Sequence, residues 1–100
     1  MREIKVFTPS PVSGAVTCSM QLLPYQSATV QIHRFGSDDF GGAFYQLEGS
    51  IDGSVYTSID TFSKPRFIRI PEGLAYAQVR CLVGASDPSK TPSLILSGVL

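Results

Sequence analysis

The sequence predicts an all-β protein, a single antiparallel β-sandwich of about eight strands in one domain over residues 1–100. Three observations carry this expectation. Apolar residues recur at period two in short segments along the whole chain. Pro and Gly separate those segments. No stretch of helical length holds an i, i+3, i+4, i+7 apolar stripe free of Pro or Gly.

The strands follow in order. Residues 2–7 place Ile4 and Val6 on one face. Residues 14–22 alternate, with Val16, Cys18, Met20 and Leu22 opposite Thr17, Ser19 and Gln21. Residues 27–35 set Ala28, Val30 and Ile32 against Thr29, Gln31 and His33. Residues 43–51 present Tyr45, Leu47, Gly49 and Ile51, and residues 55–59 and 66–70 supply two shorter runs. Residues 75–83 turn Ala75, Ala77, Val79, Cys81 and Val83 inward, and residues 93–100 close with Leu94, Leu96 and Leu100. Such alternation is the signature of half-buried antiparallel strands. Pro9, Pro11, Pro24, Pro65, Pro71, Pro88 and Pro92 fall between the runs. The sharpest local feature is Asp52-Gly53, where a tight hairpin turn wants positive φ at both central residues. Strand order is invisible to periodicity, so immunoglobulin-like and jelly-roll topologies both remain open.

Composition narrows the function. Leu, Ile, Val and Phe make up 29 residues and the net charge is +0, which excludes a disordered tail and a dedicated polyanion binder. No apolar run reaches the roughly 20 residues of a membrane-spanning helix. The charged start Met1-Arg2-Glu3-Ile4-Lys5 leads into a strand, so no signal peptide is expected. Charged residues are 16% of the chain, below the roughly 25% of ordinary soluble proteins. Few charges and no net charge protect poorly against self-association, as suits a subunit of an assembly, and a homo-oligomer is expected.

Catalytic and cofactor chemistry is not indicated. His33 is the sole histidine, on a polar strand face beside Arg34. Asp38 and Asp39 lie in a Gly-rich loop without a third acid nearby, so a solvated loop is favoured over a Ca²⁺ site. Ser13, Ser37, Ser50 and Ser54 lack a nucleophile elbow, and Gly36, Gly41 and Gly42 precede no helix. Lys64, Arg66, Arg69 and Arg80 with Phe67 and Tyr76 form a modest basic set, which reads as a solvated face rather than a nucleic-acid site. No metal, cofactor or enzymatic activity is expected.

Cys18 and Cys81 resemble in spacing the inter-sheet pair of immunoglobulin domains, although the chain has no Trp and Val79 stands where a Tyr would precede the second Cys. Two buried free thiols are the favoured reading. Residues 71–81 also resemble the approach to strand F of fibronectin type III domains.

Residues 45–59, with Leu47, Gly49-Ser50, Asp52-Gly53 and Tyr56, resemble small β-sandwich proteins of tailed bacteriophage particles. The stretch Pro71-Glu72-Gly73 to Val79-Arg80 and the final apolar strand continue the likeness over about half the chain. The same Ser-x-Asp-Gly chemistry occurs in Asp-box hairpins and discoidin-like sugar binders, without the extra Gly and Trp here. The phage resemblance implies a virion structural protein, made in the host cytoplasm, that binds the major capsid protein as a decoration or cement subunit. A head–tail connector or tail component, and a carbohydrate- or receptor-binding tail module using Tyr45, Tyr56 and Tyr76, are the alternatives. Expected contacts are residues 34–44, with Phe35, Asp38, Asp39, Phe40 and Phe44, and residues 87–92, with Asp87, Pro88 and Lys90. Ile95, Val99 and Leu100 in the terminal strand are expected on or near a sheet edge open to a neighbour, or paired within the domain.

Overall fold

The computed structural model describes residues 1–37, 39–87 and 89–100. It contains eight strands: β1 (Arg2–Phe7), β2 (Val16–Gln21), β3 (Ser27–His33), β4 (Phe44–Ser50), β5 (Thr57–Phe62), β6 (Arg66–Ile70), β7 (Tyr76–Val83) and β8 (Ser93–Val99). Each overlaps a period-two run, β5 starting two residues into and ending three residues beyond the run at residues 55–59. They form two four-stranded sheets, β1-β8-β3-β6 and β2-β7-β4-β5, with every pairing antiparallel. The shortest principal extent, 15 Å, fits two stacked layers.

That strand order is a jelly roll. Only β4 and β5 are sequence neighbours that share a sheet, and every other connection crosses between layers. The immunoglobulin alternative is excluded. Its cysteine pair bridges two sheets, whereas β2 and β7 are neighbours within one sheet. Cys18 and Cys81 are both free thiols, and burial raises both pKa values, that of Cys18 to about 11.

The inner faces interlock by alternation. Leu94 and Leu96 of β8, Val30 and Ile32 of β3, and Ile68 and Ile70 of β6 meet Met20, Ala77, Val79, Cys81, Tyr45, Leu47 and Phe62 from the other sheet. Each fully buried Leu, Ile or Val is worth about 1.5–3 kcal/mol, so this two-layer contact dominates stability. Tyr45 stacks on Phe62 with ring centroids 5.2 Å apart, which adds about 0.5–1.5 kcal/mol. At one margin Arg66 and Asp60 form an ion pair of 2.9 Å between β6 and β5, tying the layers together.

Several inward assignments need correction. Ile51 and Val83 are exposed, because each lies just where its strand ends or leaves the sandwich. Val16 is exposed beside a register shift that separates it from Cys18. The largest departure is β1. Its register against β8 pairs Glu3 with Gly98 and Lys5 with Leu96, which puts Glu3 and Lys5 on the inner face and Ile4 and Val6 on the outer one. Ile4 and Val6 are each 65% exposed. The alternation of β1 is therefore inverted relative to the rest of its sheet.

Tyr25, in the connection after β2, explains how the inner face near β1 is closed. A Cβ on Gly98 would lie 2.5 and 2.6 Å from its ring atoms, so the ring occupies the space a side chain would take. Lys5 Nζ lies 6.0 Å from the centre of the same ring. Gly98→Ala is expected to cost about 1–3 kcal/mol by overpacking. In urea the midpoint should fall with the slope unchanged. An unchanged midpoint would mean that Tyr25 yields freely.

Candidate functional site

Antiparallel strands that alternate between layers send successive connections to opposite ends. Residues 8–15, 34–43, 63–65 and 84–92 share one end, and residues 22–26, 51–56 and 71–75 share the other with both termini. The two loops expected to make contacts, 34–44 and 87–92, are thus brought together.

Their junction is well bonded. Arg34 and Ser37 form an isolated bridge, with the Ser37 N–H donating to the Arg34 carbonyl at 3.1 Å. Gly36 supplies the positive φ, 73°, that closes this turn. Phe35 at its tip is 97% exposed. The Asp39 carboxylate accepts from the Gly41 N–H at 2.8 Å and from Lys90 Nζ at 2.7 Å. The Ser86 N–H and hydroxyl both donate to the Gly41 carbonyl, at 2.8 and 2.9 Å. Asp87 accepts from the Ser89 hydroxyl at 2.7 Å and from the Ser89 N–H at 3.1 Å. The Asp39 carboxyl is held below its ordinary range, first by Lys90 and then by the Gly41 amide, and Lys90 is raised by Asp39. An exposed ion pair of this kind contributes little stability and chiefly fixes geometry.

Not every expected contact residue is at the surface. Phe40 is 2% exposed, so it is a core plug and not an anchor. Phe44 is half-buried and lines a shallow groove with Asp39, Gly42, Ser63 and Lys64. Asp38 and Pro88 lie outside the described residues. Ile95 and Val99 stand on the outer face of an interior strand, because β8 pairs with both β1 and β3. They are therefore not at an edge, and β1 is the edge instead. Leu100 lies at the opposite end from Phe35, where its N–H donates to the Met1 carbonyl at 2.8 Å.

The sequence reading missed the outer face of the β1-β8-β3-β6 sheet. Val6, Ile95, Gln31 and Phe67 form one cross-strand row on it, and Ile4 begins the next. Alternation in residues 2–7 was the available signal, but which face meets solvent depends on the layer opposite. The other sheet's outer face is polar at its centre, with Val16 and Leu82 exposed towards one end. There Glu48 accepts from Gln46 Nε2 at 3.0 Å and Gln78 Nε2 at 2.9 Å and pairs with Arg80 at 3.5 Å. The arginines do not pool into one basic patch: Arg66 is on Asp60, Arg69 on Glu72 and Arg80 on Glu48. Tyr45 is fully buried and Tyr56 and Tyr76 are half-buried, so the three do not form an exposed aromatic platform. Among the described residues no group of three or more His, Cys, Asp or Glu is placed to hold a metal.

At the far end, the connection after β4 is longer than the expected tight turn. It runs over residues 51–56, and only Gly53 has positive φ, 84°. Asp52 organises it instead. Its carboxylate accepts from the N–H groups of Ser54 and Val55 at 2.9 and 3.1 Å and from the hydroxyls of Ser50 and Ser54 at 3.0 Å each. An Asx-type turn replaces the backbone turn.

Those donors hold the Asp52 carboxyl far below its ordinary value of 3.8, the Ser54 and Val55 amides most of all. A depressed pKa contributes stability that is complete above the ordinary value and is lost as pH falls through the folded one. Asp52→Ala should therefore be less stable than wild type at neutral pH, with the two stability curves converging in acid. A gap that persists in acid would assign the loss to packing. Tyr45→Phe tests a different group. The buried Tyr45 hydroxyl has no hydrogen-bond partner among the described residues, and burial pushes its pKa up to about 12. Removing it should leave the unfolding midpoint unchanged or raise stability by up to about 1 kcal/mol. A clear loss would reveal a hidden partner.

No protein-family model matches the sequence, and no curated protein matches it. Among solved structures the chain is similar to the SPBc2 prophage-derived protein YomS, with a TM-score of 0.68 and 11% identity over 100% of this chain and 96% of that one. A Bacillus endospore appendage chain, from a family of disulfide-linked pili, gives a TM-score of 0.47 and 10% identity over 100% of this chain and 86% of that one. The likeness to YomS is a likeness of fold along the entire domain.

Proposed function

We propose that this chain is a non-enzymatic structural subunit of a tailed-phage particle, a decoration or cement protein that binds the major capsid protein lattice. The observation that carries this reading is the pair of docked loops at one end, braced by Asp39–Lys90 and Ser86–Gly41, which present the exposed Phe35. A braced loop holding an aromatic residue in solvent is an anchor awaiting a pocket, and it binds with little ordering cost. Fold likeness to a prophage-derived protein supports the same reading, as do the low charge and the exposed Ile4, Val6 and Phe67. Binding the assembled lattice in preference to free coat subunits would stabilise the shell by mass action.

A head–tail connector or tail position is distinguished by stoichiometry. Quantitative mass spectrometry of purified particles should give this chain in a coat-like ratio to the major capsid protein. A much smaller ratio would indicate a connector or tail ring, and absence from particles would end the virion reading. Phe35→Ala should weaken co-sedimentation with particles lacking the chain by at least about tenfold. Its thermal midpoint should stay unchanged, since Phe35 makes little contact with its own domain. Undiminished binding would exclude Phe35 as the anchor.

A further inference from the structure

We infer that β1 is a self-complementary sheet edge at which two copies of this chain join antiparallel, about a two-fold axis at Ile4. This goes beyond the particle reading and is tested on purified protein alone. Four strands lie at sheet margins, and three are guarded. β6 is five residues long between Pro65 and Pro71, with Arg66 and Arg69 committed to Asp60 and Glu72. The pairings of β2 with β7 and of β5 with β4 each contain a register shift. β1 has neither flanking prolines nor a register shift: it holds an unbroken register with β8 from Arg2 to Phe7 and contains no Pro, and its edge charges Glu3 and Lys5 are of opposite sign, so a second copy can neutralise them.

Hydrogen-bond direction limits how a second strand can pair. The Leu100 N–H donates to the Met1 carbonyl, so the backbone groups of Met1, Glu3, Lys5 and Phe7 face β8. Those of Arg2, Ile4 and Val6 face the free edge, and an antiparallel partner must oppose these residues to one another. Centring on Ile4 sets Arg2 opposite Val6 and Glu3 opposite Lys5 of the second copy, twice by symmetry. Sliding to the next permitted register on either side sets Glu3 opposite Glu3, or Lys5 opposite Lys5. Glu3–Lys5 are then non-hydrogen-bonded pairs, whose side chains come closest in such a ladder. Charge thus accepts one register and rejects its neighbours.

Burial favours the same arrangement. Ile4 and Val6 lie on the outer face, each 65% exposed, and the pairing brings Ile4 against its own copy. The two β1-β8-β3-β6 sheets become one continuous sheet, whose apolar rows of Val6 and Ile95 flank the axis. Glu3 and Lys5 are themselves exposed, so no layer of the same molecule blocks the approach.

Light scattering after size-exclusion chromatography and sedimentation equilibrium should show a dimer of the wild-type chain. Glu3→Lys and Lys5→Glu should each weaken it by at least about tenfold, since both symmetric pairs turn repulsive. An equimolar mixture of the two variants should recover a heterodimer, and the double variant E3K/K5E should recover a homodimer. Ile4→Pro removes a free-edge donor without cutting a bond to β8, and it should abolish dimerisation with the far-ultraviolet spectrum unchanged. A wild-type monomer at near-millimolar concentration would overturn the inference. So would single-charge variants that dimerise as tightly as wild type, or a mixture that fails to recover association.

Discussion

The structure depends on one constraint: the chain is a single antiparallel ribbon folded at residues 51–56. β4 pairs with β5, β3 with β6, β2 with β7 and β1 with β8, nested outward from that tip. Rolling the ribbon adds the β3–β8 and β4–β7 pairings and closes the two sheets over one core. Each pair in the ribbon faces its neighbours across the core, so register matters along its whole length. A slip of one residue would turn Val30, Leu96, Leu47 and Val79 from the core to solvent. At about 1.5–3 kcal/mol per fully buried side chain, that exchange would be comparable to the whole stability of a domain this size. Asp52, with four donors on its carboxylate, holds the tip.

Two ends and two outer faces follow from rolling the ribbon. One end gathers loops 34–43 and 84–92 and braces them through side chains, while the other carries the tip and both termini. The outer face of the β2-β7-β4-β5 sheet spends its polar groups on one another around Glu48, and the opposite face leaves Ile4, Val6 and Phe67 uncovered.

Most of the fold was legible because period two needs only local sequence. All eight strands overlap a segment of alternation, with β5 displaced towards the C-terminus relative to residues 55–59, and Asp52-Gly53 marks the one connection, among the described residues, between consecutive strands of the same sheet. What was not legible required the opposing layer. Alternation in residues 2–7 has two faces, and only the register against β8 shows that Glu3 and Lys5, not Ile4 and Val6, take the inner one. Phe40 reads as a loop aromatic, yet it folds under the loop to plug the core. Tyr45 reads as a platform residue, yet β4 is interior to its sheet and turns the ring onto Phe62. The cysteine spacing pointed to two sheets because sequence distance cannot show that β2 and β7 are ribbon partners.

On the function proposed above, the braced loop end is the surface that meets the particle while the ribbon tip is structural. Hydrogen exchange of the free and particle-bound chain tests this most directly. The account predicts slowed exchange in residues 34–44 and 84–92 on binding, with residues 51–56 unchanged. Slowing at residues 51–56 with both loops unaffected would contradict it.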